Sequence, residues 1–305
     1  MHRPRMARAA VMSIVAGSLI VAGARTELSG APNQEPLVGG IHWARGEERP
    51  PEAGRTSRSP NLTYHGGTVM HGTFVEPIFW GTSWSNSSFV GDKVSGLTLF
   101  FSGIGGSSYA GTTSEYTDGT GHVGTGVTFG ATHFDFSTAT ANGQQTGPVL
   151  AEVCKEIASP VADGYYPVYI DQKRGRAKFC AWHSTGSCGA VQVQFAFFFN
   201  LDGDSGCDPQ DGSGQHSQGL SALANVSGHE LSETLTDNHL NAWYDANGSE
   251  NADKCAWTFG TPLLTFNNGS EWKIQGNWSN AAFNSGTGYP NSSGQKACLD
   301  GGNYK

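Results

Sequence analysis

Apolar and polar positions change rhythm several times along the chain, and each rhythm predicts an element. Arg3, Arg5 and Arg8 precede an apolar run from Ala9 to Val21, which ends at Ala22-Gly23-Ala24. A positive start, an apolar run and a small-x-small end predict a secretory signal peptide over residues 1–24. The run is about 15 residues, short of the roughly 20 that span a bilayer. Residues 25–60 have no rhythm. Gly, Pro, Arg and Glu dominate, as in "ARGEERPPEAGRTSRSP". Such a segment buries too little to order itself, which predicts a disordered linker or pro-segment. Residues 61–305 are then the globular domain.

Within that domain "GTFVEPIFWG" (72–81) alternates and predicts a strand. Residues 92–101 predict a short helix, and "GHVGTGVTFG" (121–130) a further strand. "PVLAEVCKEI" (148–157) opens on Pro and spaces Val149, Leu150, Val153 and Ile157 as a helix does. "YYPVYI" (165–170) reads as a strand. "VQVQFAFFF" (191–199) alternates and then turns apolar on both faces, the mark of a central strand. The Asp/Gly/Ser-rich residues 200–216 are a loop. Residues 217–237 carry Leu220, Leu223, Val226, Leu231 and Leu235, which predicts one helix buried along one stripe. Residues 256–305 mix short strand signals with Asn-Gly turns such as "FNNGSEW". The fold class is α+β (or α/β), a single compact domain with a mixed sheet and a few helices.

Charge narrows the partners. Residues 61–305 hold 10 Lys and Arg against 21 Asp and Glu, a net of −11. That acidic balance excludes nucleic acid and, after signal cleavage, anionic membranes as natural partners. An extracellular peptide or cell-wall polymer is the expected partner. The six cysteines predict up to three disulfides in an exported chain, with the pairing open. No close CxxC pair supports a cysteine zinc site. Cys180-x-x-His183 is half of one, and a disulfide at Cys180 is the preferred reading.

The candidate chemistry lies in the helix of residues 217–237. Its run His229-Glu230-Leu231-Ser232-Glu233 places His229 and Glu233 on one helical face, with Cβ atoms about 5–6 Å apart. Such a pair can clasp one ion. In the HExxH helix of zinc peptidases the intervening Glu is the general base, the role this spacing gives Glu230. Here Glu replaces the second His, giving HExxE. Zinc suits it, and a harder divalent cation such as manganese is an alternative. Glu250-Asn251-Ala252-Asp253 resembles the Glu-x-x-Asp cue of thermolysin-like enzymes. That likeness makes Glu250 the third ligand and Asp253 the acceptor that orients His229. His239 is a rival third ligand. A metal-free network of His229 with Asp237 or Asp253 is the plainer alternative. Asp202, Asp204 and Asp208 lack the full calcium-loop pattern. Trp80, Trp84, Trp182, Trp243 and Trp257 read as core or half-buried. No GxSxG or phosphate loop is present.

The block "HELSETLTDNHLNAWYDANGSENADKC" resembles the signature of the EXORDIUM / phosphate-induced protein family. "YHGGTVMHGTFVEPIFWG", "FCAWHSTG" and the terminal "CLD" resemble further parts of it, so that the likeness spans about residues 64–300. It implies a secreted, wall-associated protein and groups His229, Glu230, Glu233, Glu250 and Asp253 in one motif block. The functional expectation is a secreted metal-dependent hydrolase, a zincin-like peptidase in form. The alternative is a non-catalytic extracellular binding or signalling protein whose His/Glu cluster is structural.

Overall fold

The longest alternating runs become the middle of one mixed sheet. The computed structural model describes residues 36–47 and 60–305. The predicted signal peptide and most of segment 25–60 lie outside the described residues. Eight strands form the sheet: β1 (Gly39–Trp43), β2 (Thr73–Val75), β3 (Ile78–Trp80), β4 (Val127–Phe129), β5 (His133–Asp135), β6 (Gly164–Lys173), β7 (Phe179–Cys188) and β8 (Val191–Asn200). Their spatial order is β1-β7-β8-β6-β2-β4, with β3 between β6 and β5. β1, β7 and β8 pair antiparallel; β8, β6 and the strands beyond pair parallel. Pro77, which has no amide to donate, splits the predicted 72–81 strand into β2 and β3. Both halves still pair with β6. β8 is apolar on both faces because it lies inside the sheet, as its pattern predicts.

Among the described residues five helices complete the α+β fold: α1 (Ser87–Val90), α2 (Lys93–Ile104), α3 (Thr146–Glu156), α4 (Gln218–Thr236) and α5 (Asn280–Ser285). Successive side chains of a strand point to opposite faces. On β7, Trp182 and Gly186 face α3. The Trp182 indole donates to the Gly143 carbonyl at 3.0 Å, and Leu150 packs on Gly186. His183 therefore faces the other way, toward α4. Ser217 caps α4 by accepting from the Leu220 amide.

Three expectations need correction. α4 is buried from Gly219 to Thr236 on every side, not along one stripe. α2, β1, β7, β8 and the C-terminal strands all pack against it. Its other faces carry Gly, Ala and Ser, small enough to let neighbours close in. Second, residues 36–47 are ordered, although the segment around them reads as a linker. β1 pairs with the edge of β7, Gly39 opposite His183 and His42 opposite Ala181. Third, only residues 127–129 of the predicted 121–130 strand join the sheet.

The C-terminal part is the expected series of short pieces. Leu264–Thr265 and Glu271–Trp272 pair across the Asn-Gly turn. Lys296–Leu299 pairs with Asn277–Trp278 and Tyr289–Pro290. Three disulfides, Cys154–Cys188, Cys180–Cys207 and Cys255–Cys298, use all six cysteines. They fit an oxidising, extracellular-type environment. Among the described residues no helix is long and apolar enough to cross a membrane.

The Cys255–Cys298 bridge spans 43 residues of sequence. Chain entropy makes it worth about 4 kcal/mol. Replacing both cysteines by Ala should lower the unfolding free energy by that amount in a denaturant titration. A loss below about 1 kcal/mol would show that packing alone fixes this corner.

Candidate metal centre

The helical repeat of α4 brings His229 and Glu233 together, with Nε2 3.1 Å from Oε1. Asp253 begins a short 3₁₀ turn, Asp253–Cys255, that folds onto the helix. Its Oδ1 is 3.8 Å from His229 Nε2. The Asp253 amide donates to Glu233 Oε1 at 2.9 Å, and the Glu250 amide donates to Asp253 Oδ2 at 3.1 Å. The carboxylates thus fold their own loop. Gln275 braces the far side of His229: its Nε2 is 3.0 Å from Nδ1 and donates to the Ala252 carbonyl at 2.8 Å.

Glu250, the expected third ligand of His229, goes elsewhere. Its Oε2 lies 2.9 Å from Nε2 of His183 on β7. His183 Nε2 is also 3.7 Å from Glu233 Oε2. Glu233 therefore faces two imidazoles, one with each oxygen. Asp253 takes the place beside His229 that the likeness to thermolysin-like enzymes gives Glu250. His239, the rival, is held near Thr68 instead.

Two histidines of this site are inconspicuous in sequence. His183 shows only as the partner of Cys180, which is spent in a disulfide. His42 lies inside the supposed linker. Its ring stacks on His229 at 3.9 Å and 6°. Trp257 packs on the outer face of His42 at 4.5 Å. Trp257 takes a left-handed backbone, φ 58, unusual for a bulky residue. It is held there by its amide, which donates to Gln275, and by its indole, which donates to the Trp43 carbonyl.

Gly40 of β1 lies directly over the second imidazole. A Cβ at this position would sit 1.9 Å from Glu233 Oε2, 2.4 Å from His183 Nε2 and 2.5 Å from Glu250 Oε2. Only glycine permits that approach. On either side of the strand lies a cleft. One, of about 440 Å³, is lined by Gly40, Ile41, Leu240, Glu250 and Asp253. The other, of about 480 Å³, is lined by Trp43, Arg45, Trp257 and Asp253.

The electrostatics follow from burial. His42, His183, His229, Glu230 and Glu233 are all essentially inaccessible. Among the described residues, no Lys or Arg forms an ion pair with Glu230, Glu233 or Glu250. Burial disfavours the charged form of each group. It lowers His229 to about 4 against the pull of Asp253, and it lowers His42 and His183 as well. It raises Glu230, Glu233 and Glu250 well above the carboxylate range, each pushed further by its acidic neighbours. Asp237, behind Glu250, rises to about 8 through burial and then the Glu250 charge. Seven donor or acceptor atoms still lack a hydrogen bond: both ring nitrogens of His42, Nε2 of His229, both oxygens of Glu230, Oε2 of Glu233 and Oε1 of Glu250. The His42 amide nears Glu230 and favours its anion slightly, short of hydrogen-bond geometry.

These buried His, Glu and Asp groups could hold a metal ion. A further acidic group, Asp135, Glu152 and Glu156, differs in kind. There Lys155 already bonds Asp135 and pairs with both glutamates.

Two outcomes follow. Gly40→Ala should release β1 or cost about 1–3 kcal/mol, the usual effect of overpacking. Limited proteolysis at residues 36–47 reports release, and a variant as protected and as stable as the parent would refute the contact. The second concerns pH in chelator-treated protein. Asp237 is raised to about 8, so its contribution is complete below its unfolded value near 3.8 and is lost as pH rises through 8. His229 is lowered to about 4, so its contribution is present above 6.5 and is lost as pH falls toward 4. The two oppose each other below 6.5; above it the raised carboxyls act together, Asp237 with Glu230, Glu233 and Glu250, all in the same direction. The melting temperature should therefore fall by about 4 °C or more between pH 6.5 and 8. A flat profile there would mean that none of these carboxyls still holds its proton at pH 6.5.

Compared with protein-family models, with curated proteins and with solved structures, the chain finds no match.

Proposed function

We propose that the protein is a secreted, metal-dependent hydrolase, zincin-like in the use of one helix, with the ion held at His229 and Glu233. The observation that carries this is the buried, unpartnered Nε2 of His229 facing the carboxylates of Glu233 and Asp253, with both oxygens of Glu230 unpartnered near it. Buried polar atoms are normally satisfied, and a buried carboxylate without a cation is held neutral at a large cost. A divalent cation there would partner His229 Nε2 and let the facing carboxylates stay charged. Asp253 Oδ1 completes the set beside His229 and Glu233. An imidazole with two carboxylates suits zinc and admits manganese.

Such an ion supplies Lewis acidity, lowering the pKa of water toward about 7 and polarising a carbonyl. The chain's own residues do the rest. Glu230 neither pairs with a cation nor accepts a hydrogen bond. It is placed beside His229 to take a proton from attacking water and pass it to the leaving group. Asp253 and Glu233 fix each other through the Asp253 amide. Gln275, with Nε2 3.0 Å from Nδ1 of His229, would help set the orientation of the ring toward the ion. The likeness of residues 229–255 to the EXORDIUM block supports the grouping of these residues and an extracellular setting. The likeness of His229-Glu230-Leu231-Ser232-Glu233 to the HExxH helix of zinc peptidases makes a peptide bond the substrate of this reading. Trp43 and Trp257 on the second cleft favour an extracellular polymer as the alternative ligand.

Glu230→Gln is the test. It should lower kcat on a peptide or wall-polymer substrate by at least about 100-fold, as loss of a general base does, and leave the bound metal in place. Full activity in that variant would end the hydrolase reading. Retention of wild-type protein on insoluble wall polymer, without turnover, would favour the binding protein.

A further inference from the structure

The two imidazoles that face Glu233 sit in matching surroundings. His229 Nε2 has one carboxylate oxygen at 3.1 Å and another at 3.8 Å. His183 Nε2 has one at 2.9 Å and another at 3.7 Å. Two donor atoms that share an ion at about 2.1 Å lie about 3.0 Å apart at a right angle and about 3.4 Å apart at the tetrahedral angle. Both groups have roughly that spacing. Glu233 belongs to both, through Oε1 in the first and Oε2 in the second.

The second group has its own marks of a site. His183 Nε2, Glu233 Oε2 and Glu250 Oε2 all lie within 2.5 Å of one point, the place a Cβ at residue 40 would occupy. The three atoms thus converge close under the Gly40 Cα, with no side chain of β1 between them. Glu233 Oε2 and Glu250 Oε1 are buried there without a hydrogen-bond partner. Glu250 and Asp253 line the adjoining cleft, which gives an ion a way in.

Charge points the same way. Glu230, Glu233, Glu250 and Asp253 together carry four negative charges when ionised, and Asp237 behind Glu250 adds a fifth when it ionises. A single dication would leave two of them unbalanced in a buried site, where uncompensated charge is expensive. Two dications balance all four.

We propose that the protein holds a second divalent cation beside the first, bound by His183, Glu233 Oε2 and Glu250, with Glu233 bridging the pair. The proposal rests on the reading that His229 and Glu233 hold an ion. Paired ions in hydrolases stand about 3.5–4 Å apart and clamp the attacking and leaving oxygens together, a span that one bridging carboxylate covers. Glu230, within 4.8 Å of His183 and Glu233 on one side and of His42 and His229 on the other, stays free as the base between them.

The experiment counts zinc. The full secreted chain is stripped with chelator, dialysed against zinc chloride and then metal-free buffer, and analysed for zinc per chain. Wild type should hold two. His183→Gln and Glu250→Gln should each hold one, and His229→Gln one. Glu233→Gln should hold fewer than one, because it serves both ions. Circular dichroism matched to wild type establishes folding in each variant, and the two independent variants of the second group guard against a misfolded one. One zinc in wild type, unchanged in His183→Gln and Glu250→Gln, overturns the second ion and leaves the first. One zinc that disappears in His183→Gln but survives in His229→Gln overturns the ion at His229, and with it the pair, and leaves a single ion at His183. No zinc in well-folded wild type also overturns both.

Discussion

Carboxylates and imidazoles lie where water cannot reach them, and the centre of the molecule is organised around that constraint. Glu230, Glu233 and Glu250 sit on or against a helix that is closed off all round. Desolvation of an ionised carboxylate amounts to several kcal/mol even after relaxation. Elsewhere in this chain the remedy is a lysine, as where Lys155 joins Asp135 and Glu152. At the centre no lysine or arginine meets these three glutamates among the described residues. The remaining remedies are protonation, which the raised carboxyl and lowered imidazole values describe for the metal-free protein, or a cation. A dication reverses the balance, since it binds only deprotonated ligands.

The cluster is assembled from five distant stretches: His42, His183, the 229–233 turn of α4, the 250–253 loop and Gln275. Each also has a hold outside the cluster. β1 and β7 hold the first two in register. The helical repeat sets the third. The Cys255–Cys298 bridge anchors the chain just after the fourth. The Gln275 amide accepts no choice of position, because its N–H donates to Asn225 Oδ1 at 2.9 Å in the middle of α4. A site supported on rigid elements can keep unpartnered ligand atoms close without collapsing onto them.

What was legible in the sequence follows from whether the information is local. The i,i+4 pair His229 and Glu233 needs only a helix, and the leucine spacing announces one. Asp253 reached the same neighbourhood through a local cue, though beside His229 rather than behind it. His183 and His42 were not legible as site residues. Their meeting depends on strand register between β1 and β7, and register is set by pairing that no local pattern encodes. β1 was further hidden by its flanks, whose Gly, Pro and Arg content reads as disorder. The all-round burial of α4 was missed for another reason. Gly, Ala and Ser count as neutral in an apolar stripe, yet their small size lets a sheet, a helix and the C-terminal strands approach together.

β1 is the part of the design that links the cluster to the rest of the chain. It is an edge strand, with β7 as its partner in the sheet. Beyond that pairing and the Trp257 indole on the Trp43 carbonyl, it is held by Gly40 over the carboxylates and His42 on the His229 ring. Those two contacts depend on the charge of what they touch. A carboxylate that gains or loses its proton changes the ground under Gly40, and a His229 that gains charge would repel a charged His42. By linkage the effect is reciprocal: whatever favours one state of the cluster when β1 is docked must favour docking when the cluster is in that state. The buried charge and the strand that buries it are therefore one thermodynamic unit, although some 200 residues of chain separate them.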